Sequence, residues 1–254
     1  MRIARSGQPR AAASCPSPAL WELPVAPSPD TEPDRPTSAI YERAPLATAY
    51  DKLVWGFSFK PWAWGPTLER ILGFYGRHLS ADHLEVGVGT GLLLQRANRP
   101  HFDRLHLLDA NPGPLQETAE SMARHRPLTT RADALADWGD MGAPFASIGC
   151  MNVIHCLPDP HRRGIAAKTA LLDSAAAVLA PGGTFYGCTL MPGQPGLLRR
   201  PFAAPMMALY NRLKWFSNRA DTPADLEAEL NKRFTGVRVW VEGSLVLWQA
   251  AKSV

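Results

Sequence analysis

His83-Leu84-Glu85-Val86-Gly87-Val88-Gly89-Thr90-Gly91-Leu92-Leu93-Leu94 decides how the rest of this chain is read. An apolar strand reaches an acid, three glycines follow at alternate positions, and a helix begins. Glycine lets a backbone turn sharply and approach a ligand closely. The helix that follows presents free N–H groups and the positive end of its dipole, which suits an anionic ligand. A tight strand-to-helix turn with no ligand would need the same glycines, so the loop alone leaves both readings open.

Outward from that loop the chain alternates strand and helix. Strand-like runs are predicted at 83–88, 105–109, 128–130, 147–153 and 184–190. Helices are predicted at 112–125 and about 162–180, and Pro66-Thr67 opens another with Leu68, Ile71, Leu72, Tyr75 and Leu79 at helical spacing. Such alternation implies a mostly parallel sheet covered on both faces. The chain ends differently. Two apolar runs, 237–241 and 245–250, flank Glu242-Gly243-Ser244 and predict an antiparallel hairpin. The expected fold is α/β: a Rossmann-like, doubly wound, mostly parallel seven-stranded sheet ending in that hairpin.

Residues 1–38 stand apart. They hold eight of the 24 prolines and no periodic apolar pattern, so they are expected to be a disordered leader before a domain spanning 39–254. The 254 residues suit one such domain, and no apolar run is long enough for a bilayer. A net charge of +4 is too small to imply nucleic acid. Cys15, Cys150, Cys156 and Cys188 show no zinc or disulfide spacing, which points to a reducing, cytoplasmic setting without a metal.

Two further acids follow strands. Leu105-His106-Leu107-Leu108-Asp109 ends 24 positions after Glu85. An acid there can accept both hydroxyls of a ribose, although it could also cap the helix at Pro112, a role open to Asn111. Asp133, past the third strand, can accept from an adenine amino group, or it is simply an exposed loop acid.

In this order the features resemble the class I methyltransferases that use S-adenosylmethionine (SAM), over about residue 40 to the C-terminus. Glu85, Gly87, Gly89 and Gly91 resemble the family's first motif, Asp109 its ribose acid, and Asp133 its adenine-side acid. Residues 148–157 resemble the fourth strand and its exit, 179–183 the turn before the fifth strand, and the hairpin strands six and seven. Ala146 departs from the pattern, standing where many members carry an acid. The resemblance implies a SAM-dependent methyltransferase acting on a small molecule, aromatic or lipophilic, in secondary metabolism, working as a monomer or homodimer. Implied cofactor residues are Glu85, Gly87, Gly89, Gly91, Asp109, Asn111, Asp133, Ala134, Met151 and Asn152.

Two other classes remain as alternatives: an NAD(P)-dependent Rossmann oxidoreductase and a non-catalytic SAM-fold binding protein. The dinucleotide fingerprint G-x-G-x-x-G would put glycine at Leu92, and the pattern here is G-x-G-x-G. No Asn/Asp-Pro-Pro-Tyr motif follows strand four; Asn152-Val153-Ile154-His155 stands there instead. That weighs against nucleic acid and protein-amide acceptors.

His155 is the general-base candidate, its alternative being a structural histidine packed on the next helix. The Tyr50-Asp51 pair resembles an N-terminal feature of the methyltransferase family, which implies Tyr50 as a second catalytic candidate, closing over the methionine end of SAM. Trp55, Phe57, Phe59, Trp62 and Trp64, in an N-terminal helical cap at 39–80, form either a lid or a cover for the sheet edge. Residues 191–220 are expected to insert a substrate cap, with basic residues that meet an acidic acceptor, a membrane surface or only water.

Overall fold

The computed structural model describes residues 52–97, 101–193 and 200–254. The leader proposed for 1–38, together with Tyr50 and Asp51, lies outside them.

A π-helical turn, Lys52–Ser58, precedes helix α1, Leu68–His78. Thr67 caps α1, its hydroxyl accepting from the Arg70 N–H at 3.4 Å. Ile71, Phe74 and Tyr75 are the buried face of α1. Then follow β1 (Asp82–Val86), α2 (Leu92–Arg96), β2 (Arg104–Asp109), α3 (Pro112–Ser121), β3 (Leu128–Arg131) and β4 (Phe145–Met151). The chain continues through α4 (Thr169–Val178), β5 (Leu179–Leu190), α5 (Ala203–Arg212), α6 (Pro223–Asn231), β6 (Thr235–Glu242) and β7 (Leu245–Ala251).

The strands form one sheet in the order β3-β2-β1-β4-β5-β7-β6. Pairs from β3 to β5 are parallel, and β7 is antiparallel to both β5 and β6. The expected seven-stranded, mostly parallel sheet with an antiparallel finish is the fold observed. The strand order reverses between β1 and β4. Neighbouring loops therefore diverge there and open a crevice at the strands' carboxyl ends.

Side chains alternate across the sheet, so each strand feeds two cores. Leu84 and Val86 face α4 and α6 with Ile148, Phe185, Val246 and Trp248. On the other face Leu105, Leu107, Tyr186, Leu245 and Leu247 pack on α1, α2 and α3. His83 and Glu85 belong to this second face, although both are charged types on an otherwise apolar strand.

Three boundaries differ from expectation. The helix expected at 162–180 is a 3₁₀ turn, Gly164–Ala167, followed by α4. The helix expected at 112–125 stops at Ser121 and is followed by a separate 3₁₀ turn, Ala123–His125. The turn expected at 179–183 lies within β5: Leu179 pairs with Phe145, then Thr184 with Ser147, so the chain between bulges out. The C-terminal end pins that bulge, with Gly182 N–H donating to Lys252 O at 3.0 Å.

Candidate active site

The carboxyl ends of β1, β2 and β4 bound one cleft. It is lined by all ten of the expected cofactor residues: Glu85, Gly87, Gly89, Gly91, Asp109, Asn111, Asp133, Ala134, Met151 and Asn152. Val54 and Trp55 close it from the N-terminal side, and Cys156, Leu157 and Pro158 from the exit of β4.

Gly87 shows why the loop needs glycine. Its φ is +74°, and a Cβ there would stand 2.3 Å from Val153 Cγ2. Backbone at such φ penalises every L side chain, and here the space is also taken. Gly89 is also left-handed, at +54°, but a Cβ there would meet nothing within 4 Å. At Gly87 the constraint is the protein's own packing; at Gly89 it is open space beside the cleft.

Glu85 is buried and held on one side. Its Oε2 accepts from the Tyr75 hydroxyl at 2.6 Å and from His83 Nε2 at 2.8 Å. His83 Nδ1 in turn meets Ser147 Oγ at 2.8 Å. Both hydrogen bonds fall on this one oxygen, which anchors the carboxylate of a residue that lines the cleft. Burial, and then the Glu85 carboxylate, hold the Tyr75 phenol well above its ordinary pKa, so it remains a donor. Tyr75 and His83 were not among the expected site residues. The legible signal was His83 itself, two positions before Glu85 and hence on the same face of β1.

Asp109 ends β2 almost wholly buried. Burial raises its pKa from the ordinary carboxyl value, while N–H donors from Asn111, Val88 and Gly89 oppose the rise. Oδ1 accepts from Asn111 N at 2.8 Å and from Asn111 Nδ2 at 3.2 Å. Asn111 occupies the N-cap position of α3 but makes no side-chain cap bond. Its amide turns back on Asp109, so the capping role expected of Asn111 is replaced by one of orienting the acid. Asp133 lines the same cleft, its Oδ1 accepting from Leu135 N at 3.1 Å.

Asn152, at the exit of β4, has φ +60°. Asparagine tolerates this region better than most residues, and departures of this kind gather at functional sites. Its N–H donates to Cys188 O at 2.8 Å. Cys156 lines the cleft as a neutral thiol, pushed up to about 12 by burial. That leaves it without nucleophilic character near neutral pH.

The geometry corrects the assignment of His155 as general base. His155 is 3 % exposed and is not among the residues lining the cleft. Its Nδ1 accepts from Leu190 N at 3.2 Å and lies 3.2 Å from Thr189 Oγ1, while Phe216 packs edge-on at 4.3 Å. Burial, reinforced by the Lys168 ammonium, lowers its pKa to about 3. It is a neutral, structural histidine, the alternative left open by the sequence.

The aromatic segment divides. Phe59 and Trp64 are core residues, and Trp64 meets Tyr210 and Phe216 at ring distances of 6.1 and 6.3 Å. Trp55 faces the cleft, stacked on Phe59 at 4.6 Å. Phe57 and Trp62 face solvent. One stretch of aromatics thus supplies cleft lining, core and surface. Helix α5 follows β5, and Phe202, the residue that precedes it, lies beside Phe57 with ring centroids 6.4 Å apart.

Topology and cleft together define the class I SAM-dependent methyltransferase architecture. A family model described as a methyltransferase domain matches residues 58–227, and the chain belongs to that family. Demethylluteothin O-methyltransferase of Streptomyces thioluteus is 33% identical over 194 residues, covering 75% of this chain and 80% of its own. O-methyltransferase NEC2 of Pyricularia oryzae is 29% identical over 255 residues, covering 86% and 93%. Among solved structures, an O-methyltransferase family protein from Burkholderia thailandensis aligns with a TM-score of 0.60 at 12% identity, covering 84% of this chain and 61% of its own. N-methyltransferase NodS from Bradyrhizobium japonicum aligns at 0.53 and 16%, covering 73% and 96%. The chain is a methyltransferase that takes its methyl group from SAM, and the oxidoreductase reading is set aside.

Proposed function

We propose that the cleft binds SAM and that the methyl group passes to a hydroxyl oxygen of a small lipophilic molecule. The observation that carries this reading is the convergence of Glu85, the glycine loop, Asp109 and Asp133 on one cleft whose remaining walls are largely apolar. The residues fit the cofactor chemically. Glu85 offers a carboxylate to a cationic amino-acid end, Asp109 two acceptor oxygens to a ribose, and Asp133 an acceptor to an adenine amino group. Gly89 leaves room for close approach, and Ala134, Met151 and Asn152 form the walls.

SAM supplies a methyl group made electrophilic by its sulfonium. The protein's part is then mostly positioning and exclusion of water. Trp55, Val54, Met151 and Leu157 give the acceptor side an apolar surface. Trp55 also presents a ring suited to a cation. The support for oxygen as the acceptor atom is the similarity to two O-methyltransferases at 33% and 29% identity. No described helix is long and apolar enough to cross a membrane. Cys150, Cys156 and Cys188 are free thiols, which favours a reducing, cytoplasmic setting.

The test is calorimetric titration of S-adenosylhomocysteine into the wild type and Asp109→Ala. Micromolar binding, weakened about tenfold by the substitution, is expected, about 1.4 kcal/mol. Equal affinity in both proteins would remove Asp109 from the nucleoside site. A panel of phenols and enols, with methyl transfer followed by mass, tests the acceptor class.

A further inference from the structure

The N-terminal turn beside the cleft and the segment that carries α5 share an outer surface of exposed apolar residues. Phe57, Trp62, Phe202, Leu209 and Leu213 are each 43–49 % exposed. In α5 and its ends the apolar residues Phe202, Met206, Leu209 and Leu213 recur at intervals of four, three and four, one face of a helix. The neighbouring face, with Ala203 and Met207, is already buried against the domain. Met206 is partly buried against the core, while Phe202, Leu209 and Leu213 face solvent, an apolar edge of α5 that the fold leaves largely uncovered. Phe57 joins it through the ring contact with Phe202, and Trp62 through its carbonyl, which accepts from Phe202 N at 3.3 Å.

Charge on these segments has one sign. Residues 54–66 and 200–220 contain Lys60, Arg200, Arg212, Lys214 and Arg219, and no Asp or Glu. Arg212, Lys214 and Arg219 are exposed. A basic rim around exposed aromatic and leucine side chains is the pattern by which a protein lies in the interface of an anionic bilayer. A protein partner would be expected to meet such a rim with carboxylates and the stripe with a packed core. A bilayer answers both with headgroup charge and acyl chains, and needs no shape complementarity.

We propose that the Phe57/Trp62/Phe202/Leu209/Leu213 surface docks the enzyme on an anionic lipid membrane. The π-helical turn that turns Phe57 outward also turns Val54 and Trp55 into the cleft, so the docked face adjoins the active site. The acceptor would then be a lipophilic molecule held in the membrane, a refinement that rests on the proposed lipophilic substrate class.

The test is co-sedimentation of the full chain with vesicles of phosphatidylcholine alone and of equimolar phosphatidylcholine and phosphatidylglycerol. Binding to the anionic vesicles is expected, with little to the neutral ones, and it falls as salt rises. Lys60→Gln with Arg212→Gln lowers the partition coefficient about fivefold per charge. Phe57→Ser/Trp62→Ser/Phe202→Ser abolishes pelleting, while binding of S-adenosylhomocysteine, read in the same preparations, is unchanged. Wild type that fails to pellet with anionic vesicles overturns the proposal, as does a serine variant that pellets like the wild type. Light scattering that finds a dimer which the serine variant converts to monomer overturns it too, assigning the surface to a second copy. None of these outcomes touches cofactor binding, whose loss in the wild type would count against the proposed function instead.

Discussion

Tyr75→Phe removes one hydroxyl from the anchor of Glu85. The ring stays, with its neighbours Tyr186 at 5.7 Å and His83 at 6.2 Å, so no cavity beyond one oxygen atom is made. What is lost is a 2.6 Å hydrogen bond to a buried carboxylate. Leaving a buried charged acceptor short of a donor costs about 1.5–3 kcal/mol. Glu85 Oε2 keeps the His83 contact, which puts the expected loss near the middle of that range, about 2 kcal/mol. With a urea m-value of about 2.5 kcal/mol/M, the unfolding midpoint drops by about 0.8 M. Freed on one side, Glu85 also presents its carboxylate less sharply, and affinity for S-adenosylhomocysteine falls about fivefold. Combining the substitution with Glu85→Gln in a double-mutant cycle separates the pair from the rest. A coupling of at least about 1 kcal/mol is expected for groups in direct contact. A midpoint shift below about 0.2 M at unchanged m would refute the anchoring argument.

Three further outcomes follow from the same geometry. His155 is held at about 3 in the folded protein against an ordinary value of 6.5, so the unfolded chain binds the extra proton between those values. Stability is present above pH 6.5 and is lost on acidification, by about 2 kcal/mol between pH 7 and 5 from this residue, and His155→Asn flattens that part of a urea-midpoint profile. Lys168 Nζ and Asp221 Oδ2 form a buried pair at 2.6 Å with side chains 1 % and 0 % exposed. Lys168→Met leaves the carboxylate without its cation and costs about 3–5 kcal/mol, whereas Lys168→Met/Asp221→Leu recovers much of it; equal denaturation midpoints for the two variants would contradict this. Gly87→Ala is expected to destabilise the fold through the Val153 clash, while Gly89→Ala costs only about 1–2 kcal/mol of left-handed backbone strain and acts chiefly on cofactor affinity, a contrast read by thermal melting beside titration.

The sequence alone determined the sheet and the cleft. Strand and helix periods, glycine spacing and acids at strand ends are local patterns, and a parallel sheet converts their order along the chain into position. Glu85, Asp109 and Asp133 stand at or just past the carboxyl ends of successive strands, so the topology brings them to one edge once β1, β2 and β3 lie side by side. Tertiary structure decided what each polar or aromatic side chain does there. Glu85 is anchored by residues of α1 and β1, and its partner His83 is held by Ser147, 64 positions away. His155, placed by sequence at the same strand exit as Asn152, turns inward because Leu190 N–H and the Phe216 ring receive it, and both arrive from later parts of the chain. The run from Trp55 to Trp64 is uniform as a sequence, yet packing sorts it into cleft, core and surface. Burial is a property of the elements that come to cover a residue. Those elements are distant in sequence, so no local pattern around an aromatic or a histidine carries the answer.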